Sequence, residues 1–313
     1  MTETIAIIGA GLAGLTAARK LNDAGCDVVV FEKSRGLGGR MATRRQDGFA
    51  FDHGAQYFTA RTPQFQAVLD TWLTDGAVAE WGQGRYVGMP GMTAPCRTLG
   101  DGLVVERQCE ITWLAHNDGK WTLGTADGPN KHASNGAFST VILAVPAPQA
   151  EHLVATSQLT LDGCDQARYA PCLALMAAFP QRLDTVPDFA KPDGANIGWF
   201  ARNASKPGRD QEIETFVVHA TPAWSEAHLE WERDEIARAL LAEFQALTGI
   251  DQTPDLQLGH RWRYALVKTP VGRACLWNDA VRLGGCGDWC LGARVECAFE
   301  SGNAMAETVL ART

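Results

Sequence analysis

No stretch of the chain approaches the roughly 18 uninterrupted apolar residues that a membrane span requires, and no internal repeat or low-complexity tract is present. Positive charge is in the minority. The 28 basic and 36 acidic residues leave a formal balance of −8, which disfavours nucleic acid and anionic membrane as partners. The nine cysteines are odd in number and include no C-x-x-C pair, so they read as reduced thiols of a cytoplasmic protein and not as a disulfide framework. Seven histidines stand apart without ligand spacing, and no metal site is expected. No acid–base pair or nucleophile constellation stands out. The apolar first residues lack a basic leader and are broken by glycines, so they read as structure and not as a signal peptide. What is there is 313 residues, 46% hydrophobic, enough to bury a large core in one large or two interleaved domains.

The most informative segment is the first forty residues. Residues 5–8 form an apolar run of the kind found in a buried parallel strand. The glycines Gly9, Gly11 and Gly14 follow, opening a helix expected over residues 15–24 and closed by Gly25. Gly9 permits the tight turn, Gly11 lets phosphates approach the backbone, and Gly14 lets helix and strand pack closely. The free N–H groups of the helix start favour a pyrophosphate. A second strand over residues 28–31 leads to Glu32, 18 residues past Gly14, where a carboxylate accepts bonds from both hydroxyls of an adenosine ribose. A 2′-phosphate would meet a like charge there, so the pattern points to FAD or NAD and not NADP.

Beyond this point the alternation of strands and helices lapses. Arg35-Gly36-Leu37-Gly38-Gly39-Arg40 leads to Phe51-Asp52-His53-Gly54-Ala55-Gln56-Tyr57-Phe58. Phe65, Val68, Leu69, Trp72 and Leu73 predict an amphipathic helix within residues 62–80. Residues 89–92 read as a turn, 94–99 as a helix, and 103–123 as a hairpin turning at Asp118-Gly119. Residues 140–145 are another buried strand, stopped by Pro146 and Pro148. Strands are expected over 172–179, 197–201 and 215–220, then a helix over 225–247 capped by Ser225. Glycines return at 284–287, before a last helix over 295–310.

Three motifs together carry a resemblance: Gly9-x-Gly11-x-x-Gly14 with Glu32, Arg35-x-x-Gly38-Gly39-Arg40, and Gly287-Asp288 followed by residues 295–302. They resemble the flavin amine oxidase superfamily. Residues 51–58, Pro90-Gly91-Met92 and Arg261-Trp262-Arg263-Tyr264-Ala265 are similar to its renalase branch, particularly the bacterial members. The resemblance implies an α/β fold of the p-hydroxybenzoate hydroxylase type. In it a Rossmann-type FAD-binding domain (residues 1–60, 94–165 and 267–313) interleaves with a smaller mixed-sheet substrate domain (61–93 and 166–266), and the active site lies between them.

The resemblance also assigns residues. Gly9, Gly11, Leu12, Ala13, Gly14, Glu32, Lys33, Gly39 and Met41 would surround the cofactor, with Arg40 near its pyrophosphate. A surface ion pair is the plain alternative for Arg40. Asp288 would accept bonds from the ribityl chain, and the N–H groups near Val295 and Glu296 would face the pyrimidine carbonyl, where a helix start stabilises negative charge on the reduced ring. Gln56 and Tyr57 would border the isoalloxazine, and Ile111, on the strand after Cys109, would touch adenine; ordinary packing predicts the same residues. Tyr57, Trp262, Tyr264, Trp289 and Arg294 are the substrate-binding candidates. Cys286, Cys290 and Cys297 stand in no attachment motif, so FAD is expected to be noncovalent.

One departure from the amine oxidases bears on the substrate. Only residues 289–293 separate Asp288 from Arg294, which stands where an aromatic is expected. A cation there repels a protonated amine and favours a carbonyl or an anion. Trp289 supplies one aromatic wall or fills the core. Of the lysines, only Lys268 stands near a flavin-facing position. The renalase resemblance implies oxidation of 1,2- or 1,6-dihydro isomers of NAD(P), with hydride passing to flavin N5 and then dioxygen yielding hydrogen peroxide. Such a donor has no N–H to deprotonate, so catalysis rests on placing its carbon roughly 3 to 3.5 Å from N5. Arg261, Arg263 and Arg294 are candidates for the substrate diphosphate. An oxidase or dehydrogenase of small amines, and a flavin-binding redox sensor without turnover, are the competing readings.

Overall fold

A computed structural model of the chain describes residues 4–129 and 138–312. One sheet of six strands runs in the order Leu276–Asn278, Leu283–Gly285, Thr140–Leu143, Thr4–Ile8, Asp27–Glu32, Val104–Arg107, all parallel except the first. The apolar run at its centre is explained by what covers its faces. Ile5 and Ile7 point into a core shared with helices Leu12–Asp23 and Val295–Leu310, while Ala6 and Ile8 point into one with Trp121, Leu143 and Leu153. A strand buried on both sides has no polar face to show.

The second sheet is antiparallel, in the order Phe189–Ala190, Ile197–Arg202, Glu214–Ala220, Arg168–Phe179, Leu256–Thr269. Helix Arg233–Thr248 covers one face, burying Ile236, Leu240 and Phe244 against Phe200 and Phe216. On the other face Met176 and Val217 meet Phe51, from the hairpin Thr43–Gln46 and Phe49–Asp52. That hairpin leaves the glycine-rich end of the first sheet and docks on the second, so it carries residues 52–58 between the two.

Most expected elements form, and four differ. The first helix begins at Leu12, three residues early, with Gly11 as its N-cap. Gly25 does follow its end, at φ +88°. The helix expected within 62–80 stops at Thr74, because Gly76 turns the chain into the strand Val78–Glu80. Only Trp113–Asn117 and Lys120–Thr125 form the hairpin about Asp118-Gly119; Val104–Arg107 pairs instead with Asp27–Glu32 in the parallel sheet. The helix expected over 225–247 is two: Pro222–Ala227, capped by Thr221, and Arg233–Thr248, opened by a capping box between Glu232 and Glu235. Ser225 is no cap. It is fully buried, and its hydroxyl accepts the N–H of Leu173 at 3.0 Å.

Candidate functional site

The two chain ends meet at the glycine turn. Gly9 sits at φ +108°, and a Cβ there would lie 2.7 Å from the Ala144 carbonyl oxygen. A Cβ on Gly14 would fall on the Gly9 carbonyl, and one on Gly302 would fall on the backbone of Ala13. These two glycines therefore set how closely helix Leu12–Asp23 approaches its strand and helix Val295–Leu310. Gly11 is different: a Cβ there meets nothing within 4 Å. It faces open space at a helix start that no side chain caps, a cradle of free N–H groups suited to a phosphate. Leu12 and Ala13 are buried in that first turn.

Glu32 is buried beside the turn, with Oε2 accepting the N–H of Ala10 at 2.9 Å and Oε1 that of Ser34 at 2.7 Å. Each oxygen keeps a lone pair for a ribose hydroxyl. Lys33 next to it is exposed. Gly38 is tied back to Ala10 by a 2.9 Å hydrogen bond, and a Cβ on the exposed Gly39 would lie 3.6 Å from the Gly11 α-carbon. Met41 closes the turn from the core side.

Arg40 reaches across to the other end of the chain. Its two terminal nitrogens lie 2.8 and 2.6 Å from the oxygens of Asp288, and one also donates to the Ala265 carbonyl at 3.1 Å. Burial works against the guanidinium charge, and Asp288 more than restores it. The pair is half-buried and is not the plain surface ion pair of the alternative reading. Helix Val295–Leu310 starts at Arg294 with no side chain capping it. The Glu296 carboxylate is turned away, accepting the N–H groups of Arg61 and Thr62, both at 2.8 Å. Burial alone would raise its pKa; those bonds hold it below the usual value. The first turn of the helix is thus left uncapped, and with Asp288, Arg40 and the Gly11 turn it makes up the candidate cofactor groove.

Other expectations separate. Gln56 is buried, donating to the carbonyls of Asp52 and Gly54. Tyr57 is half-buried, with its ring 5.6 Å from that of Trp199. Ile111 is buried near Phe31 but lies between strands, in the link from Val104–Arg107 to Trp113–Asn117. Trp289 is fully buried and donates to the Val145 carbonyl at 3.1 Å, so it fills the core and forms no wall. Trp262 donates to the His53 carbonyl at 2.9 Å, and Tyr264 packs on Tyr169 at 5.5 Å. Arg294 is exposed. Arg263 is held by Glu230 at 2.7 and 3.0 Å, and Arg261 lies 3.7 Å from the same carboxylate, so both already have a counter-charge. Lys268 is exposed, 3.7 Å from Glu226.

The sequence reading named Asp52, His53 and Trp262 but did not join them to the two clusters they form. His53, His219, His260 and Trp262 converge where the hairpin loop meets the second sheet, with the His53 ring 4.7 Å from His260 and 5.0 Å from Trp262. His219 Nε2 donates to the His53 carbonyl at 3.1 Å. Burial pushes the imidazoles of His53 and His219 down to about 4 and that of His260 to about 3. Beside them, Lys206 and Arg209 share the buried carboxylate of Asp52. These residues come from separate strands and a loop, and their spacing in the sequence carries no period that could have joined them.

The parallel sheet with its glycine turn is of the Rossmann type, and residues 7–72 match the family described as NAD(P)-binding Rossmann-like domain. Residues 69–310 match the family described as Flavin containing amine oxidoreductase, and the chain belongs to that family. Membership implies a flavin cofactor. Curated relatives match over short segments: 39% identity over 68 residues with protoporphyrinogen oxidase 2, chloroplastic/mitochondrial, of Arabidopsis thaliana, and 50% over 50 residues with a 4,4'-diapophytoene desaturase of Staphylococcus aureus (strain Newman). These cover 22% and 16% of this chain, and the matches span only 13% and 10% of the relatives' lengths. The whole fold resembles a putative protoporphyrinogen oxidase from Exiguobacterium sp. 255-15 (TM-score 0.75, 15% identity, 100% of both chains). It also resembles cyclohexylamine oxidase from Brevibacterium oxydans IH-35A (TM-score 0.69, 12% identity, 100% and 99%).

Proposed function

We propose that the chain is an oxidase with noncovalently bound FAD, of the renalase branch, that takes hydride from 1,2- or 1,6-dihydro isomers of NAD(P) and delivers the electrons to dioxygen, giving NAD(P)+ and hydrogen peroxide. When bound, FAD supplies the hydride acceptor and the reaction with dioxygen. The chain's part is to hold and orient. The Gly11 cradle would take the pyrophosphate, Glu32 the adenosine ribose and Asp288 the ribityl chain, while the uncapped start of Val295–Leu310 would steady negative charge on the pyrimidine edge. Burial pushes the Cys290 thiol up to about 12 and that of Cys286 well above its ordinary value, which supports a noncovalent cofactor because the thiolate is the reactive form. In this reading residues 1–60, 94–165 and 267–313 form the cofactor domain, residues 61–93 and 166–266 the substrate domain, and hydride transfer takes place between them.

The fate of Trp289 carries the choice of substrate. With its ring in the core, the segment between Asp288 and Val295 offers no aromatic to flank an amine, and its exposed charge is Arg294. That cation suits a dinucleotide diphosphate and opposes an ammonium. The family description and the fold shared with cyclohexylamine oxidase favour the second reading, oxidation of a small amine.

Anaerobic rapid mixing separates the two. The expected result is loss of oxidised-flavin absorbance in a single turnover with 1,2- or 1,6-dihydro-NAD(P), none with small amines, and peroxide on admitting air. Bleaching by amines alone would transfer the assignment to the second reading. A flavin that no donor reduces would leave a binding protein.

A further inference from the structure

Lys206 is a buried cation that the reaction above does not use. Its side chain has no solvent exposure, and its Nζ lies 3.4 Å from Asp52 Oδ2 and 3.2 Å from Gln56 Oε1. Arg209, itself almost fully buried, takes the same Asp52 oxygen at 2.5 Å. The other Asp52 oxygen is occupied by the Thr43 hydroxyl at 2.7 Å and the Met92 N–H at 3.0 Å. The cluster therefore encloses one carboxylate against two cations. His219 and His53, which feel Lys206 and Asp52 respectively, are neutral, since burial depresses both pKa values to about 4. An unbalanced buried charge costs stability that an apolar residue would not; Lys206 and then Arg209 both hold Asp52 ionised against its burial, although one cation would balance the charge. Charge balance does not explain Lys206, since the Trp81 ring 5.6 Å from its Nζ favours the ammonium but leaves the net charge in place.

Its location suggests what does. Lys206 bonds Gln56, and the same loop bonds Arg40, with the Ala55 N–H 2.8 Å from the Arg40 carbonyl oxygen. Arg40 in turn grips Asp288. The surplus charge is thus linked through Gln56 and the Ala55 backbone to Arg40 and Asp288, in surroundings where water cannot screen it. Burial lowers the Lys206 pKa to about 8, with Asp52 opposing that loss, so the ammonium is the prevailing form at neutral pH.

We propose that Lys206 is an electrostatic positioning residue: it fixes Gln56 at the groove and, through its unbalanced charge, favours the anionic reduced state of the bound flavin. This rests on reading the groove as the flavin site. The test is the midpoint potential of the FAD-loaded protein, measured by equilibration with reference dyes, together with its FAD dissociation constant. Lys206→Met should retain FAD and shift the equilibrium at least tenfold toward oxidised flavin, about 30 mV for a two-electron couple. Lys206→Arg, which keeps the charge, should stay within threefold of the parent. A Lys206→Met protein that binds FAD with an unchanged potential overturns the proposal and leaves the flavin assignment standing. Parent protein that cannot take up FAD defeats the assignment itself. Lys206→Gln, which keeps a donor to Gln56 without the charge, carries the same expectation. If both neutral variants fail to fold, the residue is purely structural and the proposal is wrong.

Discussion

Arg40 and Asp288 stand 248 positions apart in the chain and close a two-point ion pair at 2.6 and 2.8 Å. A planar guanidinium fork matches a carboxylate in this way and a lysine ammonium does not. Arg40→Lys should therefore behave as a loss. Together with Asp288→Ala it is expected to weaken FAD binding tenfold or more, about 1.4 kcal/mol, read by titrating FAD into flavin-free protein. Retained affinity in both variants would place the cofactor elsewhere.

The two glycines of the first turn make opposite predictions. A Cβ on Gly11 meets open space, whereas one on Gly14 strikes the backbone of Gly9. Gly11→Val should keep the parent's urea midpoint and lose flavin, because the new side chain fills the cradle. Gly14→Val should lose stability by about 3 kcal/mol or more, since backbone must move. Equal destabilisation of the two would contradict the open cradle.

Acid should weaken the fold through the buried imidazoles. His53 and His219 titrate at about 4 and His260 at about 3 when folded, all against an ordinary 6.5, chiefly because burial disfavours the charged form. Between pH 6.5 and about 4 the unfolded chain therefore binds more protons than the folded one, and stability falls as the pH falls. Each such imidazole contributes about 1.4 kcal/mol per pH unit across that window. Urea unfolding at pH 7 and pH 5 should show the loss, and His260→Phe should make it shallower.

Ser225 offers a test of stability away from the groove. Its buried hydroxyl accepts the N–H of Leu173 at 3.0 Å. Ser225→Ala would strand that N–H in the interior of the second sheet, at a cost of about 1 to 3 kcal/mol. A helix cap at this position, which the sequence pattern suggested, would predict a loss at the lower end and a solvent-exposed N–H. Hydrogen exchange at Leu173 distinguishes the two.

The local parts were legible where one cause dominated. Residues 5–8 are apolar on both faces because both faces are covered, and the glycine turn, Glu32 and the last helix follow from local geometry. Errors arose where two local signals competed. Helical spacing ran on past Gly76, and Ser225 looked like a cap although Thr221 and Glu232 open the two real helices. Trp289 could have been wall or core by its type, and only the packing around it decided.

By itself the sequence determined the glycine turn between the first strand and helix, because its strand, glycines and helix start are consecutive in the chain. It also determined the absence of any long apolar helix, and no helix of the described residues is long and apolar enough to cross a membrane. Tertiary structure alone decided that Arg40 meets Asp288, that three imidazoles stay neutral together, and that Asp52 faces two cations. Those arrangements depend on burial and on charges far apart in the chain, and both come into being only when the hairpin Thr43–Gln46 and Phe49–Asp52 docks one sheet against the other.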